Sequence, residues 1–185
     1  MPMRSSRIWI VTMTLLMSAC SDGAPRGNKA VKPFSDFDTL TVEQSACLFD
    51  CPAFKVSIRS DGLIRHSGPT FDYTGGLAES RTDQNGLAQI AEALRVARID
   101  EMRDSYRNEA DGCNDSFSDM STLSLTVSRG RGYRNKSVEL YTGCVGPTVP
   151  TERINALIKA IDQVTGTGAL LEQRKRLRPL DGASR

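Results

Sequence analysis

Apolar and polar side chains alternate from Phe54 to Arg59, where Phe54, Val56 and Ile58 interleave with Lys55, Ser57 and Arg59. A period of two is that of a half-buried strand. Ser60-Asp61-Gly62 supplies turn chemistry, and Leu63-Ile64-Arg65-His66 returns as the second arm of a hairpin. Thr39-Leu40-Thr41-Val42-Glu43 predicts an earlier strand, and the stretch from Thr70 to Thr82, which contains Gly75-Gly76, holds one further short strand. The period then changes. Leu87, Ile90, Ala91 and Leu94 recur at helical spacing behind Thr82 or Asp83 as the cap, with Gly86 weakening the first turn. After the polar, acidic loop Asn108 to Asp119, alternation resumes: Leu123, Leu125 and Val127 stand against Thr122, Ser124 and Thr126. The turn Arg129-Gly130-Arg131-Gly132 leads to a returning strand through Val138 and Leu140. A proline-containing link, Gly146 to Pro150, precedes the clearest helical stripe: Ile154, Leu157, Ile158, Ile161 and Val164.

The order hairpin, helix, hairpin, helix predicts an α+β two-layer sandwich. An antiparallel sheet of four to five strands, with both helices on one face, buries all of these stripes together. The domain is expected to span residues 38–166. The basic tail 167–185 is expected to be frayed or weakly helical. Its Arg174, Lys175, Arg176 and Arg178 suit an anionic lipid or a partner, and equally a solvated tail.

The amino end changes the picture. Arg4 and Arg7 precede an apolar run, Ile8 to Met17, that is well short of the roughly 20 residues a spanning helix needs. Leu16-Met17-Ser18-Ala19-Cys20 resembles a bacterial lipobox, with Met17 where leucine is most usual. The resemblance implies a signal peptide over residues 1–19, lipidation at Cys20 and a flexible tether over 20–37. Several acyl chains hold far more firmly than one, so the domain is expected to be membrane-anchored with no protein segment crossing the bilayer. Ser21, where inner-membrane lipoproteins often carry aspartate, favours the periplasmic face of the outer membrane. An ordinary signal cut near Gly23 and an uncleaved anchor are the competing readings.

Loss of the leader removes Arg4 and Arg7, so 24 basic residues become 22, against 22 acidic ones. A near-neutral mature chain gives no reason to expect a nucleic-acid partner. His66 is the sole histidine, which disfavours histidine-based metal sites and Ser-His-Asp or Cys-His nucleophilic machinery. With Cys20 taken by lipid, Cys47, Cys51, Cys113 and Cys144 remain, an even set that reads as two disulfides in an oxidising compartment. Zinc sites usually show two close pairs, whereas only Cys47 and Cys51 are close here, and their spacing is not that of a C-x-x-C redox motif. If Leu123–Val127 pairs with Val138–Tyr141, Cys113 and Cys144 flank the adjacent outer ends of that hairpin. This favours Cys47–Cys51 and Cys113–Cys144; the alternatives join Cys47 or Cys51 to the second hairpin.

Cys47-Leu48-Phe49-Asp50-Cys51-Pro52, Phe54, the Ser60-Asp61-Gly62 turn and Gly68 together resemble the bacterial family of domain of unknown function 6438. Tyr106 ahead of the Cys113 loop, and Tyr141-Thr142-Gly143-Cys144, are similar to its later landmarks. Phe49 departs from the pattern, standing where many members carry a small residue. The resemblance covers roughly residues 38–165 and implies a small secreted or lipid-anchored α+β domain. It implies no activity.

Candidate chemistry is sparse. Glu109, Asp111, Asp115 and Asp119 crowd one loop, but their spacing lacks the order of a calcium-binding loop and its closing glutamate. Asp72 and Tyr73, beside Gly75-Gly76, are a second candidate binding position. No cofactor and no resident metal are expected. The expected function is a non-catalytic binding or scaffold module of the envelope, with an envelope protein as partner. The alternative is a small carboxylate- or metal-dependent hydrolase built on loop 109–119.

Overall fold

The computed structural model describes residues 36–48, 51–72 and 76–177. Four strands come first in sequence: β1 (Thr39–Gln44), β2 (Phe54–Arg59), β3 (Leu63–Ser67) and, after the single turn α1 (Pro69–Asp72), β4 (Ala78–Arg81). Helix α2 (Gln84–Ala97) leads through a short 3-10 turn to β5 (Ser105–Tyr106), and the acidic loop carries β6 (Asp115–Ser116). The hairpin β7 (Thr122–Ser128) and β8 (Lys136–Tyr141) precedes β9 (Cys144–Val145), α3 (Thr151–Thr165) and α4 (Thr167–Leu177).

The α+β class stands, but the sheet is larger than expected and mixed. Seven strands run in the order β4-β3-β2-β1-β7-β8-β5, and β6 and β9 form a separate two-stranded ladder. All neighbours in the main sheet are antiparallel except β5, which runs parallel to β8. Nor is the order a simple hairpin-helix repeat. β1 to β4 form a four-stranded meander, and β1 pairs on its other side with β7, Leu40 opposite Val127 and Val42 opposite Leu125. Strand β5 has only two residues, too few for any alternation to show.

Alternation decides the layers. Leu40, Val42, Val56, Ile58, Leu125, Val127, Val138 and Leu140 are buried, while their strand neighbours stay partly or fully exposed. Leu87, Ile90 and Leu94 of α2 and Ile154, Leu157 and Ile161 of α3 join the same core. Fully burying each such side chain contributes about 1.5–3 kcal/mol relative to leaving it in water. The opposite sheet face carries Thr41, Ser57, Ser124 and Thr126 and the ion pairs Lys55–Glu43, Arg65–Glu79 and Arg107–Glu139.

Local chemistry fixes the helix ends. Asp83 caps α2, its Oδ1 accepting from the Gly86 amide at 2.9 Å. The helix stops at Arg98, which adopts the left-handed conformation (φ 54°) usually left to glycine. The Asp61-Gly62 turn needs its glycine, because φ is +82° and an added Cβ would fall 2.3 Å from the Thr82 carbonyl oxygen.

The tail, expected to be frayed or weakly helical, is helical at its start. Its first eleven residues form α4 and belong to the domain. Leu170 and Leu171 pack on the core, and the Arg174 guanidinium lies 5.7 Å from the centroid of the buried Phe71 ring. Among the described residues no helix is long and apolar enough to cross a membrane. The expected signal peptide (1–19), Cys20 and residues 21–35 of the expected tether lie outside the described residues, as does Arg178. Phe37, placed in that tether, is instead buried in the core.

Candidate functional site

Beyond Gln44 the chain enters a short loop stapled by Cys47–Cys51, whose Cα atoms are 5.4 Å apart. Gln44 Nε2 donates to the Pro52 carbonyl across its base at 3.2 Å. The loop lies against the end of the acidic segment: Leu48 N donates to Asp119 O (3.2 Å), Ser45 N to Thr122 O (2.9 Å) and Thr122 N to Ser45 Oγ (2.8 Å). A second disulfide, Cys113–Cys144, with Cα atoms 5.2 Å apart, ties the acidic segment to β9. The ladder β6–β9, with Asp115 opposite Val145, extends that tie.

The two staples hold apolar side chains out in water. Leu48 is 72% exposed, Phe117 63%, Val145 49% and Met120 40%. Tyr141 Oη donates to Phe117 O (2.8 Å) and accepts from Met120 N (3.1 Å), which fixes the backbone between Phe117 and Met120. Gly143 is packed under the same segment. A Cβ there would lie 2.2 Å from Phe117 O and 2.8 Å from the Tyr141 ring, so no larger residue fits. Beside this rim, a cleft of about 470 Å³ opens between the sheet and α3 and α4, with Val42, Phe54, Val56, Ile158 and Leu171 among its lining and Lys159 at its edge. This end therefore presents exposed apolar side chains, among exposed carboxylates, on a cross-linked backbone.

Of the carboxylates singled out from the sequence, Asp111 is engaged within the fold, while Asp115, Asp119 and Asp72 stay exposed. Asp111 Oδ2 accepts from Ser105 Oγ (2.7 Å) and Arg107 N (3.0 Å), bonds that hold its carboxyl below the usual range. Asp115 is exposed and accepts from the amide of Ser116. Asp119 is exposed with φ +63°, its carbonyl engaged by Leu48. Asp72 ends α1, exposed on another part of the surface, and Tyr73 lies outside the described residues. No group of three or more histidine, cysteine or acidic residues gathers as a ligand set among the described residues. Leu48, Phe117, Met120 and Val145 belong to none of the apolar stripes that the sequence shows. Their signal was large apolar residues outside any period, within or next to polar segments bounded by cysteines.

His66 is fully buried in β3, its Nε2 3.0 Å from Thr167 Oγ1 and its ring 5.6 Å from that of Phe71. Burial pushes its imidazole below the ordinary value; a pull from the Ala78 backbone and the charge of Asp162 oppose this without cancelling it. Nδ1 has no partner of good hydrogen-bond geometry. The folded state thus holds His66 neutral while the unfolded chain binds a proton below about pH 6.5. The unfolded state takes up more protons, so stability is expected to fall as pH drops from about 7 towards 5 and to level once below the depressed native value. Urea midpoints across that range read the slope, and His66→Gln should flatten it. Asp104 and Asp111, held low by the Lys136 and Ser105 bonds respectively, act in a separate window: their contribution is lost only below about pH 4. An unchanged slope in the Gln variant would remove His66 as the cause.

A model of the family described as a domain of unknown function (DUF6438) matches residues 38–165. The chain belongs to that family. No curated protein matches it. In this DUF6438 domain the residues that carry the likeness divide between the two ends of the sheet. Cys47, Cys51, Pro52, Gly143 and Cys144 build the stapled end, and the Asp61-Gly62 turn lies at the other, since β1 pairs Gln44 with Phe54 but Thr39 with Arg59.

Proposed function

We propose that this DUF6438 chain is a bacterial lipoprotein, acylated at Cys20 and held on the periplasmic side of the outer membrane. In this reading the domain is a non-catalytic binding module that presents the stapled rim to an envelope protein. The lipobox-like segment ending at Cys20 supports the anchor, and the Cys47–Cys51 and Cys113–Cys144 disulfides support an oxidising compartment. The observation that carries the binding role is the rim itself. Leu48, Phe117, Met120 and Val145 remain in water on a backbone fixed by two cross-links, so little conformational entropy is lost when a partner covers them.

A photo-crosslinking residue at position 117, compared with one at the exposed Val96 of α2, tests this in the native envelope. One defined envelope protein is expected to couple at 117 and not at 96. Leu48→Ser combined with Phe117→Ser should weaken that complex at least tenfold, since exposed apolar anchors at an interface centre are worth about 1–2 kcal/mol each. Both side chains are exposed, so thermal stability should hardly change. Equal coupling at 117 and 96, or an unchanged affinity in the double variant, would count against the rim. The mass of the mature protein tests acylation separately.

A further inference from the structure

The end of the sheet opposite the rim carries the arginine-rich β7–β8 turn, and it is where the chain from Cys20 arrives. Asp38 N donates to Ser128 O at 2.8 Å, and Thr39 pairs with Ser128, so the first described residues enter beside the β7–β8 turn. Gly130 of that turn lies against the Asp38 carboxylate. Fifteen residues, 21–35, separate Cys20 from Asp36, a reach of at most about 50 Å. The chain from Cys20 therefore joins the domain at this end. A leash of that reach leaves either end of the sheet, about 20 Å apart along β1, able to meet the anchoring surface, so the orientation is set by what each end presents.

The turn is built to meet anions. Tyr133 is 74% exposed at its tip. Arg131 and Arg134, on either side of it, are exposed and form no ion pair among the described residues. Behind the tip lies a cleft of about 760 Å³ whose lining includes Arg103, Arg129, Arg134 and Lys136 but only Asp100 and Asp104 as acids. Asp100 is taken by Arg129, at 2.9 Å and 3.0 Å, and Asp104 by Lys136, at 2.5 Å. Those pairs fix the base of the hairpin. Arg103 is directed to the Ala110 carbonyl and the charge of Asp111, which leaves Arg131 and Arg134 at the tip without an ion pair among the described residues. Exposed arginines flanking a tyrosine suit an anionic bilayer surface, where the guanidinium meets phosphate and the amphipathic ring sits among headgroups.

We propose that the β7–β8 tip, Arg131, Tyr133 and Arg134, is the membrane-facing contact of the domain and takes the phosphates of anionic phospholipids. The inference rests on the anchor reading above and adds an orientation to it. Because β1 runs from this tip towards the stapled end, tip contact turns Leu48, Phe117 and Met120 away from the bilayer, where a partner can reach them. Each juxtamembrane arginine is expected to strengthen the contact about fivefold, and the pair about thirtyfold.

The test uses the full-length acylated protein in vesicles of phosphatidylcholine alone or with phosphatidylglycerol. Trp9 is the only tryptophan and lies in the leader, so Tyr133→Trp gives the mature chain a single reporter. Its emission should shift to the blue, and be quenched by brominated lipid, in the anionic vesicles but not in the neutral ones. Leu48→Trp should stay water-exposed in both. Adding Arg131→Gln and Arg134→Gln to the Tyr133→Trp protein should reduce the contact equilibrium about thirtyfold, and high salt should do the same. Equal emission at position 133 in the two vesicles, or quenching at position 48 instead, would overturn the proposal. If mass shows Cys20 unmodified, the anchor reading fails by that result alone. An amino-terminal histidine tag on nickel-chelating lipid then supplies the tether, and the same comparison of positions 133 and 48 still decides which end faces the bilayer.

Discussion

Replacing both Cys113 and Cys144 with serine is expected to lower the unfolding free energy by about 3–4 kcal/mol. The bridge spans a sequence separation of 31, and closing a loop of that size removes much of the freedom of the unfolded chain. Both cysteines are also buried, so serine leaves hydroxyls in an apolar site. Against a typical total of about 5–15 kcal/mol the domain should still fold, with a Tm lower by roughly 10 °C or more. Cys47→Ser with Cys51→Ser opens a loop of separation 4 and should cost only about 2 kcal/mol. Thermal and urea unfolding of the two double variants give the comparison. A loss from the second pair as large as from the first would mean that native strain or packing, not loop closure, sets the effect. Loss of Cys113–Cys144 should also free the Phe117–Met120 segment, so partner affinity should fall along with stability.

Truncating Phe71 to alanine is the second large effect, expected at about 3–5 kcal/mol. The ring is fully buried although α1 is a single turn of four residues. It packs on His66 from below and carries the Arg174 guanidinium above, so it joins the sheet to α4. Its removal should therefore act locally as well as globally. Trypsin is expected to cut at Arg174, Lys175 and Arg176 well before the rest of the domain opens, as local unfolding of a loosened helix requires. Phe71→Leu should keep α4 protected while losing part of the stability. A Phe71→Ala protein with a lowered Tm but an unchanged rate of cleavage in α4 would show that other contacts hold the helix.

Legibility followed local period. Where burial of one face alternates with exposure of the other, as in β2, β7 and α3, the elements could be read within a residue or two from pattern alone. The end of α2 could not, because Arg98 takes a left-handed conformation with no glycine to announce it. Helix α4 could be read only as a frayed or weakly helical tail. Its polar, basic sequence shows no clear stripe, and its Leu170, Leu171 and Arg174 find their partners on the core and on Phe71 only in the folded domain. The acidic loop was only partly legible for a related reason. Carboxylate density is visible in sequence, but whether a carboxylate is free or spent on Ser105 and Arg107, as Asp111 is, depends on where the chain returns.

The sequence by itself determined the α+β class and the apolar faces of the long strands and of α2 and α3, since each follows from composition or from a period shorter than one element. Tertiary structure decided the rest. It placed β1 between β2 and β7, added β5 in parallel at the edge, and brought Leu48 to Asp119 and Phe117 to Gly143. Those contacts join residues far apart in the chain, and they form only when the sheet closes its whole core at once.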